Sequence, residues 1–147
     1  MDPRYQTDFY SWAMAQSELA RTRSSNALDW DHVAEELRLL GVSEERELKS
    51  RLIVLVAHLL KWAYQPQQRS RSWTNTITGQ RLALSDHMTS NPGLKPKLPD
   101  TFSSAYVRAR LEASSETDLD LDVFPLDPPF TYAQAVDEDW LPEVPVD

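Results

Sequence analysis

One apolar pattern in the middle of the chain constrains the fold more than any other feature. Large apolar residues recur there at alternating spacings of four and three: Leu48, Leu52, Leu55, Leu59 and Trp62. This spacing places them on one side of an α-helix, and a second apolar stripe runs beside the first. A helix that is apolar over so much of its circumference usually lies at the centre of a bundle. Because proline lacks an amide proton, the helix must end or bend near Pro66.

The remaining helices are predicted from apolar spacing and capping residues. Gly41 is expected to end the second helix in a left-handed conformation, and Ser43 to cap the central one. The predicted helices cover approximately 8–21, 29–41, 43–66, 70–91 and 99–115. With only 3 glycines and no concentrated alternating runs of valine, isoleucine and threonine, the sequence predicts an all-α bundle of four or five helices.

The last part of the chain is acidic but rich in aromatic residues. Residues 1–116 carry all 15 Lys and Arg and 14 acids, a net +1, whereas residues 117–147 carry 9 acids and no Lys or Arg, a net −9. The aromatic and other large apolar residues of 117–147 are too many for a solvated tail. We therefore expect residues 1–116 to form the bundle. Residues 117–147 should form an extended acidic strap with a short helix near 131–139, packed on the bundle within one domain. Its carboxylates are expected to meet Lys61, Arg69, Arg71 or Arg81.

Composition excludes several classes of function. The chain has no cysteine, so disulfides, thiolate metal sites and a cysteine nucleophile are excluded. Three scattered glycines cannot form a phosphate-binding loop, and no cofactor is expected. A neutral body with an acidic tail argues against nucleic acid as a partner. No signal peptide or membrane-spanning run is recognisable, so the expected location is the cytoplasm.

Several segments carry a resemblance to a known family. The chain reads YQTDFYSW at 5–12, LDWDHVAEEL at 28–37 and DWLP at 139–142, with a distinctive block from His58 to Trp73 between them. Together these segments resemble the bacterial domain-of-unknown-function family number twenty-nine over nearly the whole chain. The resemblance implies an all-helical domain from a bacterium. It implies no activity and assigns no catalytic residue.

His58 is the first candidate site residue. Helical spacing places it on one face with Trp62 and Gln65. A histidine in such a place can titrate near neutrality or bind a metal ion. The alternative is a packed histidine whose ring nitrogens form hydrogen bonds within the bundle, and this alternative is favoured.

Asp31 and Glu35 form the second candidate, an acidic patch on the predicted second helix. Helical bundles can build metal sites from inward-facing carboxylates and histidines. The chain contains no Glu-x-x-His motif, so a di-iron centre is not expected. A single-metal site joining Glu35 or Asp31 to His58 is the remaining hypothesis, and a solvated face is the favoured alternative.

The third candidate is the helix break, with its polar and aromatic residues Gln65, Arg69, Arg71, Ser72 and Trp73. Arginine can grip a carboxylate or phosphate at two points, and tryptophan can stack on a ligand. The favoured alternative is that these arginines hold the acidic tail.

No catalytic motif stands out, and the chain contains five Trp, five Tyr and four Phe. The leading hypothesis is therefore a non-enzymatic interaction or regulatory module that binds a protein partner or forms a homo-oligomer. A small-ligand or anion-binding domain is the second hypothesis, and a metal-dependent enzyme is the third.

Overall fold

The computed structural model describes residues 2–146, and within this range it consists of helices and turns without any strand. The six α-helices of this range are α1 Arg4–Thr7, α2 Phe9–Arg21, α3 Trp30–Tyr64, α4 Arg71–Ser90, α5 Leu98–Thr117 and α6 Tyr132–Val136. The predicted all-α class is confirmed. Within the same range, none of these helices combines the length and the apolarity that crossing a bilayer requires.

Three of the helices begin with a side-chain cap, close to the residues where the sequence predicted that they would start. Asp8 Oδ1 accepts a hydrogen bond from the Ser11 amide at 3.1 Å and caps α2. Ser70 Oγ accepts one from the Trp73 amide and caps α4. Thr131 forms a capping box at the start of α6. Each cap occupies an amide that the helix itself leaves unpaired.

The prediction that a helix ends at Gly41 is wrong. α3 is one continuous helix of 35 residues that includes both Gly41 and Ser43, and no glycine of the described residues has a positive φ. A single glycine inside a helix costs only about 1 kcal/mol relative to alanine, and helix-forming residues flank it on both sides. The potential cap at Ser43 is therefore not used.

The chain divides into two compact units, Met1–Glu44 and Glu45–Asp147. α3 contributes its first half to the first unit and its second half to the second unit.

The predicted leucine stripe forms the core of the second unit. Its four leucines, Leu48, Leu52, Leu55 and Leu59, are at most 1% exposed. They belong to one cluster with residues of α4 and α5. The buried positions of α5 include Ala105, Ala109 and Ala113. Small side chains allow another segment to approach the α5 backbone closely.

The acidic C-terminal segment supplies buried groups to the same core. Phe124, Phe130 and Ala135 belong to the core cluster. Arg81 donates from Nε to the Ala135 carbonyl at 2.8 Å and from a terminal nitrogen to the Trp140 carbonyl at 2.7 Å. The acidic segment thus contacts the rest of the second unit through its carbonyl oxygens and apolar side chains. The sequence had predicted contacts through its carboxylates.

Phe124 provides a test of the structural role of this segment. We expect Phe124→Ala to lower the free energy of unfolding by about 3–5 kcal/mol, because the buried ring would leave a cavity. Leu126→Ala is the matched control, since Leu126 is 81% exposed and should change stability by no more than about 0.5 kcal/mol. Urea denaturation of both variants measures the difference. Equal, small losses would show that the segment does not contribute to the core.

Candidate functional site

His58 makes a local contact within α3. Its Nδ1 lies 2.9 Å from the Val54 carbonyl oxygen, one turn earlier in the helix. Burial lowers the pKa of His58 against the opposing effect of the hydrogen bond to Val54, and the positive charge of Lys61 adds to the lowering. The ring is thus a half-buried histidine with a helical hydrogen-bond partner.

Several residues around the helix break contact the end of α5. Lys61 Nζ lies 2.6 Å from Glu116 Oε2 and 4.8 Å from the centroid of the Trp73 ring. Gln65 donates to the Thr117 carbonyl at 3.2 Å. These contacts join the end of α3 to the end of α5.

Arg69 is also engaged within this loop. Its Nε donates to the Trp62 carbonyl at 2.9 Å, and its guanidinium lies 4.5 Å from the centroid of the Trp62 ring. Arg71 and Ser72 are exposed in the first turn of α4. Of the predicted helix-break residues, Gln65 and Arg69 thus donate to backbone carbonyls and Trp73 lies beside Lys61, whereas Arg71 and Ser72 are exposed.

The predicted acidic patch lies in the first unit, whereas His58 lies in the second. Asp31 is exposed, and Glu35 forms an ion pair of 2.7 Å with Arg38 on the same helix. An exposed pair of this kind contributes little to stability.

The most elaborate polar cluster of the first unit centres on Asp29, which sequence reasoning did not single out. Asp29 Oδ2 accepts hydrogen bonds from Trp12 Nε1 at 3.1 Å, from His32 Nδ1 at 2.8 Å and from the Asp2 amide at 3.2 Å. The Asp29 amide in turn donates to Gln16 Oε1 at 2.8 Å. The hydrogen bond from His32 is the main cause that lowers the pKa of Asp29 to about 2, against the opposing effect of burial.

Aromatic rings surround this Asp29 cluster. Tyr5 stacks on His32 with a centroid distance of 3.7 Å and an interplanar angle of 13°. Trp12 meets Tyr5 edge-on at 4.8 Å. The Tyr5 hydroxyl donates to Glu36, and this hydrogen bond raises the pKa of Tyr5 to about 12. The contacts link α1, α2 and the first half of α3.

An apolar groove of about 990 Å³ lies beside the Asp29 cluster, within the first unit. Two helices provide most of its walls: Phe9, Ala13, Gln16 and Ala20 from α2, and Trp30, Val33, Leu37 and Leu40 from α3. Of the described residues that line it, only Arg23 and Glu36 are charged. The groove has the size and apolar character of a binding surface.

Large apolar side chains remain exposed in this groove: Phe9, Trp30, Leu37 and Leu40 line it and are 49 to 64% exposed. Tyr10, Met14 and Leu39 are also exposed on this unit, but they do not line the groove. Trp30, Val33, Leu37 and Leu40 recur at helical spacing in the sequence, but such periodicity reports apolarity and not what covers it.

A buried histidine in the second unit also escaped the sequence analysis. His87 Nδ1 lies 3.1 Å from Glu47 Oε2, and Arg51 binds the other oxygen of the same carboxylate through two nitrogens. These residues come from α3 and α4, so no short sequence spacing links the histidine to the carboxylate.

The family model of the domain of unknown function DUF29 matches residues 4–141. The chain belongs to this family. No curated protein matches it, and neither does any solved structure. In this DUF29 chain, the two N-terminal segments that carry the resemblance, 5–12 and 28–37, also supply Trp12, Asp29 and His32 of the Asp29 cluster.

The Asp29 cluster generates a prediction about pH. The folded pKa of Asp29 lies near 2, below its ordinary 3.8, so the fold favours the ionised form. Its contribution to stability is complete above about pH 4 and is lost as the pH falls through about 2. We therefore expect Asp29→Asn to destabilise the protein near neutral pH. The stability gap between the original chain and this variant should close as the pH falls.

Urea unfolding at several pH values between 7 and 2 provides the measurement. Asp31→Asn is the matched control, because Asp31 is an exposed carboxylate two positions away, and it should leave the pH dependence unchanged. A stability gap that is the same at every pH would contradict the assigned role of the Asp29 carboxylate.

Proposed function

We propose that this DUF29 chain is a non-enzymatic interaction module and that the groove between α2 and the first half of α3 is its docking surface. The observation that carries the proposal is the exposure of large apolar side chains inside the groove, where Phe9, Trp30, Leu37 and Leu40 are 49 to 64% exposed. An exposed apolar patch with a polar rim often marks a protein interaction site.

The chemistry of the groove supports protein docking. Interface centres are depleted in charge and enriched in aromatic residues and methionine. Phe9 and Trp30 line the groove, and Tyr10 and Met14 are exposed on the same helix as Phe9. Tryptophan and tyrosine are also frequent among the residues that dominate binding energy.

The Asp29 cluster favours a scaffolding role over catalysis. Its carboxylate, the Trp12 indole and the Gln16 amide oxygen bond to groups of the same unit. Such a network holds the helices that form the groove in a fixed geometry. A preorganised surface loses less conformational entropy when it binds.

The helix break is a weaker candidate for a ligand site. Gln65 and Arg69 already donate to backbone carbonyls, and Lys61 is paired with Glu116. An incoming anion would have to compete with these internal partners. A single-metal site that uses His58 stays a prediction of the sequence.

Site-specific photo-crosslinking tests the docking surface. A photoreactive phenylalanine derivative replaces Leu37, which is 64% exposed in the groove, in the full chain produced in its native cells. The control places the same group at Leu111, which is 51% exposed on α5. We expect covalent adducts with a polypeptide from position 37 and few from position 111.

Two results would contradict the proposal. One is equal labelling from the two positions, or no adduct at all from position 37. The other is an adduct at position 37 with a small molecule only, which would identify the groove as a ligand pocket.

A further inference from the structure

The second unit contains a pocket of its own. It has a volume of about 410 Å³ and is formed by α4, the turn Pro92–Lys97 and residues 132–138. We propose that this pocket binds a small organic monocarboxylate with an apolar body, and that the guanidinium of Arg81 holds the carboxylate. The proposal goes beyond the docking groove, because it assigns a separate ligand site to the second unit.

Arg81 is a buried cation whose partners within residues 2–146 are neutral. It is 5% exposed and lines the pocket, and it donates one hydrogen bond to the Ala135 carbonyl and one to the Trp140 carbonyl. A guanidinium has five N–H donors, so these two bonds leave three donors for a ligand. Arg69 at the helix break also donates to a carbonyl, but it is exposed and water solvates its charge.

The electrostatics of Arg81 favour a further negative charge beside it. Burial lowers the pKa of its guanidinium, and the negative charges of Asp137 and Glu138 oppose this lowering only in part. A buried charge is costly unless it is paired. A carboxylate that reached Arg81 would supply the missing compensation through charge-assisted hydrogen bonds, which are stronger than bonds between neutral groups.

The charges of the pocket lining suit a monoanion. Lys95 adds an exposed cation to the lining, and Glu138 adds an exposed carboxylate. Together with Arg81 they give two positive charges and one negative charge, a net +1. Glu138 would repel a dianion such as phosphate about twice as strongly as a monocarboxylate at the same distance.

The rest of the lining fits an apolar body. Apolar groups of the pocket come from Leu84, Met88, Pro92 and Val136. Ligand pockets typically have volumes of about 300–1,000 Å³ and combine an apolar lining with a few polar groups that orient the ligand. The pocket thus has room for a small carboxylate whose apolar end is removed from water.

Ligand-observed NMR on the full chain tests the proposal with two probes, phenylacetate and hexanoate. We expect both to bind with a Kd in the millimolar range, as is usual for ligands of this size. Phenylacetamide and hexanamide have nearly the same shape but no charge, and they should bind at least about tenfold more weakly. Inorganic phosphate, which lacks an apolar body, should not displace phenylacetate at equal concentration.

A variant that fills the pocket locates the bound probe. Ser85 is an exposed lining residue on α4, so Ser85→Phe should weaken phenylacetate binding by about tenfold or more through steric exclusion. Ser90→Phe is the matched control, because Ser90 is exposed on the same helix but does not line the pocket. It should bind phenylacetate like the original chain. Circular dichroism checks that both variants are folded.

Two charge variants test the sign of the ligand. We expect Lys95→Gln to weaken phenylacetate binding and Glu138→Gln to strengthen it, each by about two- to fivefold, because both side chains are exposed and water screens their charges. Lys97→Gln is the matched control for the lysine. Lys97 lies in the same turn but pairs with Glu45 at 3.1 Å and does not line the pocket.

Four results would overturn the proposal. The first is that neither carboxylate binds, and the second is that the amides bind as well as the carboxylates. The third is equal binding of phenylacetate to Ser85→Phe and Ser90→Phe, which would place the probe outside the pocket. The fourth is weaker binding to Glu138→Gln, which would show that the pocket prefers a cation.

Discussion

The first unit depends on the burial of one carboxylate. Asp29 is 7% exposed at its side chain, and a buried charge is costly unless hydrogen-bond donors surround it. The Asp2 amide, the Trp12 indole and the His32 ring supply three donors from separate parts of the unit. The carboxylate therefore fixes the N-terminal segment, α2 and the start of α3 in one arrangement. If Asp29 were removed, these donors would lose their shared acceptor.

The two units differ in how they bury their apolar side chains. In the second unit, aromatic residues of the acidic segment join the leucine stripe of α3 and the alanine face of α5 in one core. The first unit has 44 residues, close to the length at which a single chain can hardly bury a core of its own. Its polar cluster orders α2 and the first half of α3, but the apolar stripe of α3 that lines the groove stays largely exposed. Association is the physical means by which such a stripe leaves water.

Local sequence signals predicted the second unit better than the first. The leucine spacing identified the buried face of α3, and Pro66 marked the region where the helix ends, because both effects act within a few residues. The helix end predicted at Gly41 was wrong, since the cost of glycine inside a helix is small compared with the favourable interactions along α3.

The Asp29 cluster could not be predicted from the spacing of residues in the sequence. Its contacts join residues 17 positions apart in one case and 27 in another, and no periodicity encodes them. The exposed stripe was recognised as apolar, but one chain's sequence does not say whether its own residues or another chain cover it.

Fluorine NMR of Trp30 tests the central claim, that the groove of the first unit is a docking surface for a protein partner. The full chain would carry 5-fluorotryptophan at its five tryptophans, with Trp30 assigned from Trp30→Phe. The difference in chemical shift between H₂O and D₂O reports contact with solvent. Trp30 is 60% exposed and Trp12 is 3% exposed in the single chain, so Trp12 serves as an internal reference for a buried ring. When an extract of the chain's native cells is added, we predict that the solvent shift of Trp30 falls toward that of Trp12. A solvent shift of Trp30 that stays large at every amount of extract would contradict the claim.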